Sequence, residues 1–170
     1  MLADKESRQV VYSEEYMPKK WYRTICQATG VYPTIDVMAT KENTKCDEFV
    51  EFFSSSESKT KYRNFLAVKD LDQHKTGYCF PPKKILSKAL AHIYENFRHM
   101  TWLIIYHKFL ELPLGVERFL RHKNTVHFEL PTSFFTIIPS ENRIEIDGDV
   151  YIGMKNKWAK STHVLIYRSE

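Results

Sequence analysis

Gly77-Tyr-Cys-Phe-Pro-Pro-Lys-Lys-Ile-Leu86 opens the stretch on which the reading of this chain turns, and Arg121-His-Lys-Asn-Thr-Val-His-Phe128 closes it. Between them lies the longest apolar periodicity in the sequence. After Pro81 and Pro82 a helix is predicted: Ile85, Ala89, Ile93 and Phe97 recur every fourth residue, and Leu86 and Leu90 widen the stripe. Trp102-Leu-Ile-Ile-Tyr106, with Phe109 and Leu110, reads as a second and more buried helix, because Trp102, Ile105, Tyr106 and Phe109 share a face at helical spacing. Pro113 and Gly115 interrupt it, and Val116 to Lys123 adds a further turn or two.

Towards the N-terminus, a short helix is expected to start at Pro18, carry Trp21, Ile25 and Ala28 on one face, and stop at Gly30. Residues 1–15 read as a flexible arm that orders against a partner, leaving residues 16–170 as a single domain. Val31 to Met38 alternates like a strand, but Pro33 confines it to an edge or an extended arm. Cys46 to Phe53 fits a short helix or a strand equally. Ser54 to Lys61 is loop-like, Tyr62 to Lys69 reads as a strand, and Asp70 to Thr76 is a polar turn broken by Gly77.

Beyond Thr125 the apolar period changes to two. Val126/Phe128/Leu130, Phe134/Thr136/Ile138, Ile144/Ile146, Val150/Ile152 and Val164/Ile166 mark four or five strands, and Asp147-Gly148 is a two-residue hairpin signal. The fold class expected is therefore α+β: a C-terminal antiparallel sheet of four to five strands, with two or three helices covering one face.

Composition sets the outer bounds. A chain of 170 residues, 43% hydrophobic and 14% aromatic, matches one domain with a substantial core. Its 25 basic and 21 acidic residues give a net charge of +4, a mild bias towards anionic partners and well short of a dedicated DNA-binding domain. Cys26, Cys46 and Cys79 form no C-x-x-C pair and read as reduced thiols. The polar N-terminus lacks a signal-peptide pattern and no run of about 18 apolar residues occurs, so membrane contact is expected to be peripheral, from the cytoplasmic side.

No motif dictates a reaction: P-loop, dinucleotide-binding and nucleophile-elbow patterns are missing, and no cofactor is expected. His92, Glu95 and His99 share a helical face where two imidazoles and a carboxylate can hold a divalent metal, at looser spacing than H-E-x-x-H; a solvated polar face is the alternative. Arg121 and His127 match the Arg-x(4–6)-His pattern of some metal-independent ribonucleases of the HEPN superfamily, the histidine as acid/base and the arginine stabilising phosphate charge. Glu145, Asp147 and Asp149 near Lys155 suggest a nuclease carboxylate cluster only weakly, since Asp147 suits the turn.

The cations say more as groups. Lys19, Lys20 and Arg23 flank Trp21 and Tyr22. Lys83, Lys84 and Lys88 begin the long helix, Arg118, Arg121 and Lys123 end the helical half, and Lys155, Lys157 and Lys160 surround Trp158. Lysines interleaved with aromatics suit nucleic acid or a lipid headgroup layer, whereas any one group alone also fits an ordinary solvated surface.

Gly77-Tyr78-x-Phe80, Ile85-Leu86, Ile93-Tyr94 and Arg98-His-Met100 before an apolar helix, then Arg118 to Lys123 leading into Thr125 to Phe128, resemble the core of rhabdovirus matrix proteins. The resemblance covers about a third of the chain. It implies a non-enzymatic virion protein that self-associates through an N-terminal segment, condenses the viral nucleoprotein–RNA, binds the anionic inner membrane surface peripherally and takes part in budding. Val10, Val11, Tyr12, Tyr32, Pro33 and Ile35 are the corresponding candidates for self-association. The family's Pro-Pro-x-Tyr late signal is missing, and Tyr32-Pro33-Thr34-Ile35 is similar to the Tyr-Pro-x-Leu type only loosely. The competing expectations are the ribonuclease and a general nucleic-acid-binding or protein-interaction module.

Overall fold

Trp102 to Tyr106 form a strand, not the expected helix. The computed structural model describes residues 10–12, 17, 19–39, 44–51, 62–108, 112–130, 143–146, 149–152 and 161–169. In chain order the elements are β1 (Val10–Tyr12), α1 (Lys19–Thr29), β2 (Ile35–Ala39), β3 (Glu48–Glu51), β4 (Tyr62–Arg63), β5 (Thr76–Cys79), α2 (Leu86–Asn96), β6 (Thr101–Lys108), α3 (Val116–Leu120), β7 (Thr125–Leu130), β8 (Arg143–Ile146), β9 (Asp149–Ile152) and β10 (Ser161–Tyr167). A seven-stranded sheet has the order β4-β3-β2-β5-β6-β10-β7, and β1-β9-β8 form a separate three-stranded sheet.

The physical reason for the misreading lies in where β6 sits. It pairs in parallel with β5 and antiparallel with β10, so both of its edges are used. Both of its faces are covered as well: Trp102, Ile104 and Tyr106 enter one core and Leu103 and Ile105 the other. A strand buried on both faces is apolar at every position and shows no alternation. Its content of Thr101, Trp102, Ile104, Ile105 and Tyr106 is that of a strand.

The α+β class holds, with a sheet that departs from expectation. β4, β3, β2, β5 and β6 are mutually parallel and come from the first two thirds of the chain; only β10 and β7 add antiparallel neighbours at one side. The strands 143–146 and 149–152 pair antiparallel as the hairpin signal required, though in the smaller sheet. Helices cover both faces, not one. Leu86, Ala89, Leu90 and Ile93 of α2 and Val116 and Phe119 of α3 pack on the Trp102 side, while Tyr22, Ile25 and Cys26 of α1 pack on the Leu103 side.

Pro33 also misleads. It lies ahead of β2, which is an interior strand between β3 and β5, so the missing N–H costs the ladder nothing. Within α1 the buried face is Tyr22, Ile25 and Cys26; Ala28 is exposed and Trp21 half-buried. Gly30 does end the helix, at φ 74° with its N–H on Cys26 O at 2.8 Å. Tyr62 to Lys69 is a strand only at Tyr62–Arg63 and then a 3-10 turn at Phe65–Ala67. The region Cys46 to Phe53 resolves to the strand β3. Ser54 to Lys61, Phe109 and Leu110, Phe134 to Ile138, Asp147-Gly148 and Lys155 to Lys160 lie outside the described residues, as do residues 1–9 and 13–15 of the arm.

Gly77 is the position where sheet and core meet most closely. It does not break a turn; it lies inside β5, directly opposite Trp102 on β6. A Cβ there would fall 2.4 Å from Trp102 Cζ3, far inside van der Waals contact. The indole is fixed from its other end, since Nε1–H donates to Phe97 O at 2.9 Å and Phe65 and Phe97 pack at 6.1 and 6.2 Å between ring centroids. Gly77→Ala is expected to lower the unfolding free energy by at least about 2 kcal/mol, measured by chemical denaturation. An unchanged midpoint would contradict the fixed indole.

Candidate anion-binding surface

Tyr94, on the outer side of α2, organises a cationic corner. The guanidinium carbon of Arg98 lies 4.4 Å from the Tyr94 ring centroid, and that of Arg118, on α3, lies 5.0 Å from it. Guanidinium groups over a ring face are held by its negative quadrupole while their N–H groups stay available to an acceptor. The ring itself is braced by Phe119, edge-on at 5.6 Å, and its hydroxyl lies 3.5 Å from His122 Nε2. Phe119 and His122 both abut Tyr167 of β10, at 5.5 and 5.3 Å, which ties the corner to the sheet.

Beside this stack, a pocket of about 420 Å³ is lined by Leu112, Pro113, Leu114, Gly115, Glu117, Arg118 and Arg121. Arg121 extends into solvent with Glu117 at 4.0 Å, a helical-spaced pair too exposed to be strong. Leu114 is 81% exposed and Leu120 38%. Cations and aliphatic side chains thus share one small surface, with Arg98, His99 and Lys123 also exposed around it.

The sequence-predicted groups separate in space. Arg118 and Arg121 meet at this corner, with exposed Lys123 two residues further along the chain; exposed Lys88 belongs to the same sheet face through α2, and exposed Lys84 lies in the turn that precedes that helix. Lys19, Lys20 and Arg23 are exposed on α1, which packs on the opposite face. The Lys83 side chain and Lys155, Lys157 and Lys160 lie outside the described residues. Tyr94 lies on α2 and Arg98 two residues beyond its end, so their contact is made across the helix terminus and leaves no helical spacing in the sequence. Arg118 is brought to Tyr94 only by the packing of α3.

The self-association candidates fare unevenly. Ile35 is fully buried in β2 and presents nothing to a partner, a correction that follows from the strand being interior. Pro33 is half-buried and Tyr32 is 61% exposed. Val10, Val11 and Tyr12 are not free of the fold: they pair in parallel with Val150, Tyr151 and Ile152.

Two constellations dissolve on inspection. His92 donates from Nε2 to Val68 O at 2.6 Å and accepts from Asn96 Nδ2 at 3.2 Å, so both ring nitrogens are occupied. Burial, assisted by Lys69, lowers its pKa. Glu95 and His99 are exposed, and among the described residues no group of three His, Cys, Asp or Glu side chains is placed to hold a metal. Arg121 follows the end of α3, whereas His127 lies on β7, its Nε2 2.6 Å from Tyr106 Oη and 3.1 Å from His163 Nδ1. The single-helix geometry of the ribonuclease pair is not formed.

Buried polar groups elsewhere serve the fold. His74 links the starts of three strands, donating to Glu48 Oε2 at 2.5 Å and accepting from Thr34 Oγ1 at 2.8 Å. No disulfide joins the cysteines. Burial, with Asp36 nearby, pushes the Cys46 thiol up to about 12, which makes it a poor nucleophile.

Asp36 is 3% exposed, and burial pushes its carboxyl up to about 6 even though the Met38 and Lys45 N–H groups donate to it at 3.3 and 3.0 Å. Its ordinary value is 3.8, so between those limits the folded chain holds a proton that the unfolded chain releases. Asp36 therefore lowers stability as pH rises through that window and has no further effect above it. Between about pH 4.5 and about pH 7 the wild type should lose roughly 2 kcal/mol more than Asp36→Asn in denaturant titrations; parallel profiles would contradict this.

Comparison with protein-family models and with curated protein sequences gives no match to this chain.

Proposed function

We propose that this chain is a matrix-type structural protein that joins an anionic membrane surface to the viral nucleoprotein–RNA. The observation that carries the reading is the placement of two cationic surfaces on opposite faces of one sheet. One is the Arg98/Arg118/Arg121/Lys123 corner with Leu114; the other is Lys19, Lys20 and Arg23 on α1. A protein that bridges two polyanions needs its cations divided in this way, since a single patch would be saturated by either partner.

The corner suits the membrane side. Each cation near an anionic bilayer contributes about 1 kcal/mol, and exposed Leu114 and Leu120 add apolar insertion. No helix among the described residues is long and apolar enough to cross a membrane, so on this reading attachment is peripheral. The α1 surface, without exposed leucines, suits phosphate of nucleoprotein–RNA. Self-association falls to exposed Tyr32 and to the β1 segment, whose short pairing with β9 a second copy can supply equally.

Cosedimentation with phosphatidylserine-containing vesicles and binding to single-stranded RNA test the division. Arg118→Glu with Arg121→Glu should reduce vesicle binding by tenfold or more, on the order of 2 kcal/mol, while sparing RNA binding. Lys19→Glu with Lys20→Glu should do the reverse, and both activities should weaken as salt rises. If both variants lost RNA binding alone, a general nucleic-acid-binding module would replace the matrix reading. Indifference of the wild type to vesicles would end it.

A further inference from the structure

We infer that the pocket lined by Arg118 and Arg121, beside the Tyr94 stack, is a binding site for a phosphomonoester, and that the membrane ligand it selects is a lipid whose headgroup carries such groups. The proposal rests on the membrane-docking reading above and adds to it a particular ligand.

Charge alone attracts any anionic lipid, so selectivity requires a shaped donor set. Arg118 and Arg121 both line the pocket, Arg118 from α3 and Arg121 from the residue that follows its end. A guanidinium presents paired N–H donors that match two oxygens of one phosphate, which a lysine does not. Arg118 has lost part of its freedom already, because Tyr94 holds it from below at 5.0 Å. Arg98 lies over the same ring at 4.4 Å and brings a further guanidinium to the same small region. A phosphomonoester offers three terminal oxygens and nearly two charges, whereas the diester of an ordinary headgroup has two free oxygens and one charge. The volume of about 420 Å³ falls in the range of small-ligand pockets.

Glu117 lines the same pocket, 4.0 Å from Arg121, and is the group that opposes an anion there. Its charge opposes any anion there, and because the pair with Arg121 is exposed the opposition is modest. Leu114, at the rim and 81% exposed, has no part in holding phosphate and acts only when a bilayer is present.

These roles separate by experiment on the full chain. Phosphatidylcholine vesicles doped with phosphatidylinositol bisphosphate are compared with vesicles matched in total charge by phosphatidylserine, and soluble inositol trisphosphate is titrated by calorimetry. The wild type should prefer the bisphosphate vesicles by about fivefold or more, the equivalent of one additional cation contact. Arg118→Gln should remove the preference, with Arg121→Gln, at an exposed position outside the core, as the second variant should the first fail to fold. Glu117→Gln should tighten trisphosphate binding, and Leu114→Ser should weaken both vesicle types without changing trisphosphate affinity. Equal binding to charge-matched vesicles would overturn the phosphomonoester site and leave membrane docking intact. Binding to neither vesicle would overturn both. Stronger competition by single-stranded RNA than by trisphosphate at the corner would assign it to nucleic acid and overturn the proposal.

Discussion

The contact between the Gly77 backbone and the Trp102 indole is the constraint around which this fold is built. Two parallel strands meet there with nothing but hydrogen on one side, and the ring fills the space a side chain would take. Because the indole lies flat against β5, Phe65 and Phe97 can close over it and α2 can approach the sheet. The position of α2 then fixes Tyr94, and through Phe119 the position of α3. The cationic corner is thus a remote product of one missing Cβ.

The same chain of contacts explains why Arg118 is held in place. Phe119 is fully buried and Tyr167 nearly so, and both belong to the core cluster that holds Trp102. Arg118 is carried on a short helix of five residues that would be marginal alone and is held by that burial. Its guanidinium therefore has a defined location, unlike Arg121, which rests only on an exposed carboxylate. Preorganisation of one cation and freedom of the next is a useful division for a site that must capture and then grip.

How much of this was legible in the sequence depends on which physical signal each element leaves. The apolar stripe of α2 survives because only one side of the helix is buried, and Leu86, Ala89, Leu90, Ile93 and Phe97 are all in the core. The strand β6 leaves no period, since burial on both faces removes the polar half of the alternation. Pro33 was given the weight of an in-strand proline when it lies outside the ladder. Cationic residues were visible as groups, but no local pattern could say that α1 and α3 stand on opposite faces, because that is decided by which side of β6 each helix covers. The contact of Tyr94 with Arg98, made across the end of α2, and the arrival of Arg118 leave no local pattern.

The place of β10 carries a consequence for biosynthesis. It is inserted between β6 and β7, so β7 reaches the sheet only through a strand made after it. Until residues 161–167 have left the ribosome, β6 has one unpaired edge of continuous apolar sequence, open to any other strand. Completion of the sheet therefore waits on the strand made last, and the interval before it is when a nascent chain is most exposed to pairing with its neighbours on the same message.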